Sequence, residues 1–526
     1  MLVMTVGAVL RLWGLQFGLP QPFARPDEEV VVDLALGVLK DPNPRFFDWG
    51  TLFTYVTAAV YAAVFAIERL TGGSITDASV ARTAFEPLLV LVPRTIAAAA
   101  GVGTIAVLFA AARELFSRRA ALLAALFLAV AFLHVRDSHF GVADVPMTFL
   151  IVCAFWASVR CATRGVTLSR AALAGLLCGL AVSTKYNAAT ILVPVVVAIV
   201  WTTLGTAPRS PGLAVRALAV VGLCAVVGFV AGTPYAVLDY PTFLTALSNV
   251  RRHMDHGHIL MTRGLEYHAT FTLRYGVGVP LLVAAMIGPC TLLARRRWKA
   301  AALVLSFPVS YYLMVGSGKS VFVRYMVPMV PFLGLAAGVC VDQLSEYLQR
   351  TSKVARLGDI TAALLAAVIA IPTLVPSIMF DRLMALPDTR ATAAERVASE
   401  FPQGASMYQN GYTYARLQMK PRERYVQLTF NEDTNSFERE GTPTGPPEVI
   451  VLVESPLATY TVVPPAIVAL VETDYTMVAT AVGIIKARVP GALYDQDDAF
   501  FAPFSGIGQA RRPGPNVTIF RRRGAK

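Results

Sequence analysis

The chain has 526 residues, of which 55% are hydrophobic and 15% charged, with a net charge of +12 and a mean hydropathy of +0.57. Soluble domains carry about 25% charged residues, so this composition excludes a wholly water-soluble protein and expects lipid as solvent for most of the chain. Residues 381–526 hold 16 basic and 16 acidic side chains, so the basic surplus lies entirely in the first 380 residues. Excess base beside membrane spans points to headgroups and orientation signals, not to nucleic acid.

Apolar runs near 2–19, 92–112, 120–135, 146–161, 171–186, 188–204, 214–233, 276–294, 300–316, 325–341 and 360–380 approach the roughly 20 residues that cross a bilayer. No cleavable signal peptide is expected at the first run, which lacks a basic leader and a small-residue cleavage site. Basic loops with Arg113, Arg118 and Arg119, then Arg160, Arg164 and Arg170, then Arg209 and Arg216, then Arg295–Arg297, then Arg350, Lys353 and Arg356 alternate with the others. The positive-inside rule makes them cytoplasmic. The segment around Asp27 and everything after Asp381 are then expected outside. The run at 50–68 is apolar enough to span, but Tyr55, Tyr61 and its threonines spread polar atoms along it; an interfacial or re-entrant helix is expected.

The loops expected on the outer side collect the unusual residues. Arg25-Pro26-Asp27-Glu28-Glu29 follows the first run, and RDSHFGVADVP carries Asp137, His139 and Asp144. STKYN places Lys185 and Tyr186 at the end of a span, and GSGKSVFVRY carries Lys319 and Arg324. Carboxylates beside a bilayer are costly unless they face water or a substrate. Outer lysines and arginines run against the positive-inside trend, and a bound anion would explain them. For Asp27 the competing reading is a helix cap ahead of Glu28, and for Asp144 a cap ahead of Pro146. For Arg94 and the other bases it is snorkelling to headgroups. His253, His256 and His258, with Asp255 between them, invite a metal or a carrier-facing loop, yet no closed ligand set exists. The residues name no resident cofactor; a divalent cation is compatible with them.

The six cysteines fall in or beside apolar runs and read as small lipid-phase hydrophobes. Gly175/Gly179 and Gly228/Gly232 read as close helix packing. After Asp381 the composition becomes that of a soluble domain. A helix is expected from Asp388 or Thr389 to Pro402, with strands near Glu448–Val453 and Asn516–Phe520, giving a small α/β cap.

RPDEEV, NPRFFDWGTLFTY, RDSHFGVADVP, GLAVSTKYNAA, GTPYAVLDY, VFVRYMVPMVPF and LPDTRATAAERV as an ordered set resemble the GT-C membrane glycosyltransferases. The resemblance is to bacterial relatives of the protein O-mannosyltransferases and of the lipid A aminoarabinose transferase. It covers roughly residues 1–400. It implies an all-α polytopic domain of about 11 transmembrane helices (1–380, first outer loop about 20–91) and an extracytoplasmic α/β domain (381–526). It further implies a plasma-membrane enzyme that moves a monosaccharide from a polyprenyl-phosphate carrier to a hydroxyl on a protein, glycan or lipid.

By motif position the resemblance makes Asp27 the base, with Glu28 beside it, and gives Asp144 the place of a second acid. The chemistry needs a base for the acceptor proton and cations for the departing phosphate, but no general acid, because phosphate already leaves well. Asp144, His139, Lys185, Tyr186, Arg324, Lys319, Arg94 and His256 are the candidate substrate- and carrier-binding residues. A lipid-sugar transporter or flippase, or a non-catalytic carrier-binding scaffold, would share the spans. A transporter is usually built from internal repeats, and none is visible.

Overall fold

The computed structural model describes residues 1–526 except 22, 74–76, 80–85, 206, 257–263, 355, 486–490 and 525–526; for Glu86, His253, Asp255, His256 and Arg422 it describes the backbone alone. The chain divides into two compact units. One comprises Met1–Leu12, Val30–Phe85 and Leu91–Ile378; the other comprises Trp13–Glu29, Glu86–Val90 and Met379–Lys526. The division between Ile378 and Met379 lies near the change of composition at residue 380, and the Asp27 segment is grouped with the C-terminal residues.

In the first unit every one of the eleven apolar runs is helical, at least in part. Among the described residues eight helices are long and apolar enough to cross a membrane, or nine if Gly264–Val277 and Val279–Ala294, bent by 109° at Gly278, form one span. The 50–68 run is the helix Leu52–Thr71, one of the eight. The run at 2–19 is helical only over Leu2–Leu12. Beyond it Gly14 and Gly18 take φ of 87° and 73°, and a Cβ on Gly18 would lie 2.1 Å from that of Ala24, so glycine is what permits this turn.

The small-residue motifs do what their spacing predicts. Helices Leu168–Thr184 and Pro211–Gly232 cross so closely that a Cβ on Gly179 would lie 2.1 Å from the Ala225 carbonyl oxygen, and one on Gly228 2.5 Å from that of Leu176. Arg11 is fully buried and ends the helix Arg118–Val130 by donating to the carbonyls of Leu128 and Ala129 and to His134 Nδ1. Ser377 takes the Val130 carbonyl, and Thr373 accepts from the Phe132 N–H. These bonds satisfy the groups a helix end leaves open, so the chain can break at Ala131 and turn into the segment carrying His139 and Asp144.

The second unit is an α/β domain with a seven-stranded sheet: β1 (Ser406–Gln409), β2 (Val426–Asn431), β3 (Ser436–Arg439), β4 (Thr442–Thr444), β5 (Val449–Glu454), β6 (Tyr475–Ala481) and β7 (Asn516–Arg522). The order is β4-β3-β2-β1-β5-β7-β6, with β1 parallel to both β2 and β5 and the remaining pairs antiparallel. On β5, Val449, Val451 and Val453 enter one core with Val397 and Ile519, while Ile450 enters the other with Ile467 and Tyr475. That two-residue alternation places the helix Thr389–Glu400 on one face and Pro465–Asp474 on the other. Asp388 caps the first of these, accepting from the Arg390 N–H at 2.8 Å.

Candidate functional site

Two groups of candidate residues emerge, one in each unit. In the first unit the helix Leu168–Thr184 stops at Lys185, whose backbone is extended, before a 3-10 turn over Tyr186–Ile191. The break turns Lys185 toward Asp144, the first residue of the helix Asp144–Arg164. Lys185 Nζ lies 2.7 Å from Asp144 Oδ1, with side chains 19% and 3% exposed. The ammonium also sits 5.3 Å from the Tyr325 ring centroid. Tyr311 donates to the Tyr325 carbonyl at 2.8 Å, and Asn187 donates to the Tyr311 hydroxyl at 2.9 Å.

Three of the sequence motifs meet around this break. Tyr186 donates to the Phe47 carbonyl at 2.9 Å, Ser183 and Thr233 share a 2.9 Å hydroxyl contact, and Thr51 donates to the Gly232 carbonyl at 2.9 Å. FFDWG, STKYN and GTPYAVLDY are therefore neighbours in the fold. Arg324 is the second residue of a later 3-10 turn, Val323–Met329, its guanidinium 4.1 Å over the Phe322 ring.

The other candidates of this unit are placed differently. His139 is fully buried and its Nδ1 meets the Val135 carbonyl at 2.9 Å. Arg94 is 1% exposed, so it does not reach toward headgroups. It follows Pro93 within the helix Glu86–Leu115, where a Cβ on Gly141 would lie 3.2 Å from its backbone nitrogen. Lys319 is exposed, with its backbone N–H donating to the Met254 carbonyl. His256 closes the helix Tyr240–His256, but its side chain, like those of His253 and Asp255 and all of His258, lies outside the described residues.

In the second unit the segment 23–29 is tied down by the C-terminal domain. Arg25 forms a 2.7 Å ion pair with Asp498, with side chains 0% and 1% exposed, and stands 5.7 Å over the Phe500 ring. Arg390 holds Asp388 through both of its branches and donates as well to the carbonyls of Phe23 and Tyr414. Gln21 donates to the Arg416 carbonyl and accepts from the Gln418 N–H.

Within this cradle Asp27 is half-buried and takes φ of 72°. A helix N-cap sits in the extended region, so the capping reading of Asp27 does not fit its backbone. A left-handed non-glycine residue is a strained backbone position, which Asp27 shares with Arg45, Arg296, Arg356, Asn435 and Glu440. Glu28 is fully buried at the start of the helix Glu28–Gly37.

Glu29, from the same run, and Tyr414, which no sequence motif marks, complete the arrangement. Tyr414 donates to Glu29 Oε1 at 2.5 Å. Burial holds the Glu29 carboxyl above the usual carboxylate range; the Tyr414 hydrogen bond opposes the rise, and the charges of Asp27 and Glu28 add to it. Tyr414 itself is pushed up, by burial first and then by Glu29. Glu29 stands in the quoted RPDEEV run, whereas 385 residues separate it from Tyr414.

Residues 89–232 match the family model described as dolichyl-phosphate-mannose-protein mannosyltransferase. No curated protein matches by sequence. Among solved structures, ArnT from Cupriavidus metallidurans bound to undecaprenyl phosphate aligns over 98% of this chain and 97% of its own, at 14% identity and a TM-score of 0.57. Its apo state aligns over 99% and 97%, at 16% identity and 0.57. The Archaeoglobus fulgidus oligosaccharyltransferase in the apo form aligns over 81% of this chain at 14% identity and 0.52, and the alignment spans 63% of that enzyme's length. The fold is that of the GT-C glycosyltransferases, and the chain is a multi-span membrane protein.

Proposed function

We propose that this chain is an integral-membrane glycosyltransferase that moves a monosaccharide from a polyprenyl-phosphate carrier to a hydroxyl acceptor on the outer face of the plasma membrane, with inversion. The observation that carries this reading is the end-to-end likeness to ArnT, a structure that holds undecaprenyl phosphate. The left-handed Asp27 and the Lys185–Asp144 pair support it at residue level.

In this reaction the acceptor oxygen attacks the anomeric carbon and its proton passes to Asp27. The bond from that carbon to the phosphate oxygen breaks, and polyprenyl phosphate departs with the electron pair. Lys185 and Arg324 balance the charge that develops on it, Arg by a forked contact and Lys as a point charge. Asp144 holds the ammonium aimed before the donor arrives. Glu28, buried at the helix start, supports Asp27. Tyr186, His139 and Arg94 shape the surroundings, and Lys319 and His256 lie on segments that meet the carrier.

The test uses full-length protein in proteoliposomes, undecaprenyl phosphate bearing radiolabelled mannose or aminoarabinose as probe, and bacterial envelope extract as acceptor. The wild type releases undecaprenyl phosphate and labels the extract. Asp27→Asn binds the carrier in native mass spectrometry but does not turn over. Equal turnover by Asp27→Asn, or label crossing the bilayer with no acceptor present, would overturn the reading, the latter in favour of a transporter.

A further inference from the structure

A left-handed aspartate costs on the order of 1–3 kcal/mol, so Asp27 keeps its φ of 72° only because its surroundings hold it. On the amino side the anchors are the Arg25–Asp498 pair and the Arg390 bond to the Phe23 carbonyl. On the carboxyl side the helix Glu28–Gly37 begins at once, and its first turn is pinned by the Tyr414–Glu29 hydrogen bond. Tyr414 comes from the loop after β1, which is itself rigidly set. Asn410 donates to the Val453 carbonyl and accepts from the Val453 N–H, Gly411 turns the chain at φ of 78°, and Arg390 grips the Tyr414 carbonyl while it grips that of Phe23. One guanidinium thus couples the loop that supplies the phenol to the segment that supplies the acid.

We propose that Tyr414 and Glu29 are positioning residues for Asp27, the phenol–carboxyl bond fixing the direction in which Asp27 meets the acceptor hydroxyl. The inference rests on the glycosyltransferase reading above and gives the C-terminal domain a part in the reaction: it builds the seat of the base. The groups that face Glu29 are Tyr414, Asp27 and Glu28, with Arg25 acting on Tyr414. Tyr414 keeps its own proton and only donates a hydrogen bond, so no proton is lost or gained in this role.

The test compares Tyr414→Phe, Glu29→Gln and Tyr412→Phe in the full-length protein. Tyr412 shares the loop but is 61% exposed. Two readouts are taken: kcat and KM with the undecaprenyl-phosphate sugar, and amide hydrogen exchange of peptides spanning 23–31. A misplaced reacting group costs up to about 100-fold. Tyr414→Phe should therefore lose about 10- to 100-fold in kcat, with KM for the carrier held within about 2-fold and faster exchange confined to 23–31. Glu29→Gln, whose amide oxygen still accepts from the phenol, should recover most of the rate, and Tyr412→Phe should match the wild type. Unchanged kcat and exchange in Tyr414→Phe would overturn the proposal, and so would a kcat that falls only with the folded fraction. If the wild type transfers no sugar, the glycosyltransferase reading fails by itself. The exchange experiment then decides the positioning alone: unchanged protection at 23–31 in Tyr414→Phe refutes it, and faster exchange there upholds it.

Discussion

Lys185 Nζ and Asp144 Oδ1 stand 2.7 Å apart, joining the end of one helix to the beginning of another. The carboxylate is 3% exposed, so removing the lysine leaves a buried charge without its counter-ion. Breaking such a pair costs about 3 kcal/mol or more. Lys185→Met should therefore lower the unfolding temperature of the detergent-solubilised protein. Asp144→Asn should lower it less, because the amide oxygen still accepts from Lys185. The double variant should recover part of the Lys185→Met loss, since the stranded charge is gone. A double-variant loss equal to the sum of the two single losses would mean that the pair carries no coupling.

At Asp27 the choice of substitution matters. Asparagine tolerates the left-handed region better than other non-glycine residues, so Asp27→Asn removes the base while keeping the backbone. Loss of a general base costs about 100- to 10,000-fold in rate, and carrier affinity should stay near that of the wild type. Asp27→Ala should show the same rate loss together with lower stability, because alanine at φ of 72° is strained. Single-turnover kinetics and carrier titration separate the two effects.

Much of the fold is legible in the sequence because hydropathy and periodicity are local. Most of the apolar runs, the Asp388 cap and the alternation along β5 appear where the residues place them, whereas the run at 2–19 is helical only over Leu2–Leu12. What local pattern cannot carry is partnership at long range. Glu29 meets Tyr414 across 385 residues and Arg25 meets Asp498 across 473, so the grouping of 13–29 with the C-terminal domain has no local sign. Arg94 illustrates the same limit: near an expected helix end it could snorkel, but tertiary packing buries it. STKYN carries Lys185 and a separate motif carries its partner Asp144; only the break after Thr184 joins them.

The crossing of the helices Leu168–Thr184 and Pro211–Gly232 allows no added carbon at Gly179, where a Cβ would lie 2.1 Å from the Ala225 carbonyl oxygen. Backbone, not a flexible side chain, is what it would strike. Gly179→Ala should cost about 1–3 kcal/mol by overpacking, whereas Gly222→Ala, which meets nothing within 4 Å, should be neutral. Thermal unfolding of both variants in one detergent checks this.

Arg25 and Asp498 are buried together, and the guanidinium also lies over Phe500. Asp498→Asn should destabilise the C-terminal unit by about 3–5 kcal/mol, the cost of an uncompensated buried charge. Arg25→Lys should not substitute, because an ammonium cannot stack over the Phe500 ring as the planar guanidinium does. Limited proteolysis at residues 381–526 should be faster in both variants, and a wild-type digestion rate in either one would contradict the assignment.

Glu29 gives the C-terminal unit a distinct response to pH. Its folded carboxyl is raised above the ordinary value of 4.5, chiefly by burial, so the folded state binds this proton more tightly than the unfolded chain does. The contribution of such a group is fully present below its unfolded value and is lost as pH rises through its folded value. Glu29→Gln keeps an acceptor for Tyr414 but cannot ionise. The difference in unfolding temperature between Glu29→Gln and wild type should thus be flat at the acid end, grow in favour of the variant as pH rises from about the unfolded value, and level off above the raised value. A difference that is independent of pH, or that shrinks as pH rises, would show that Glu29 is not the buried acid its position on Tyr414 makes it.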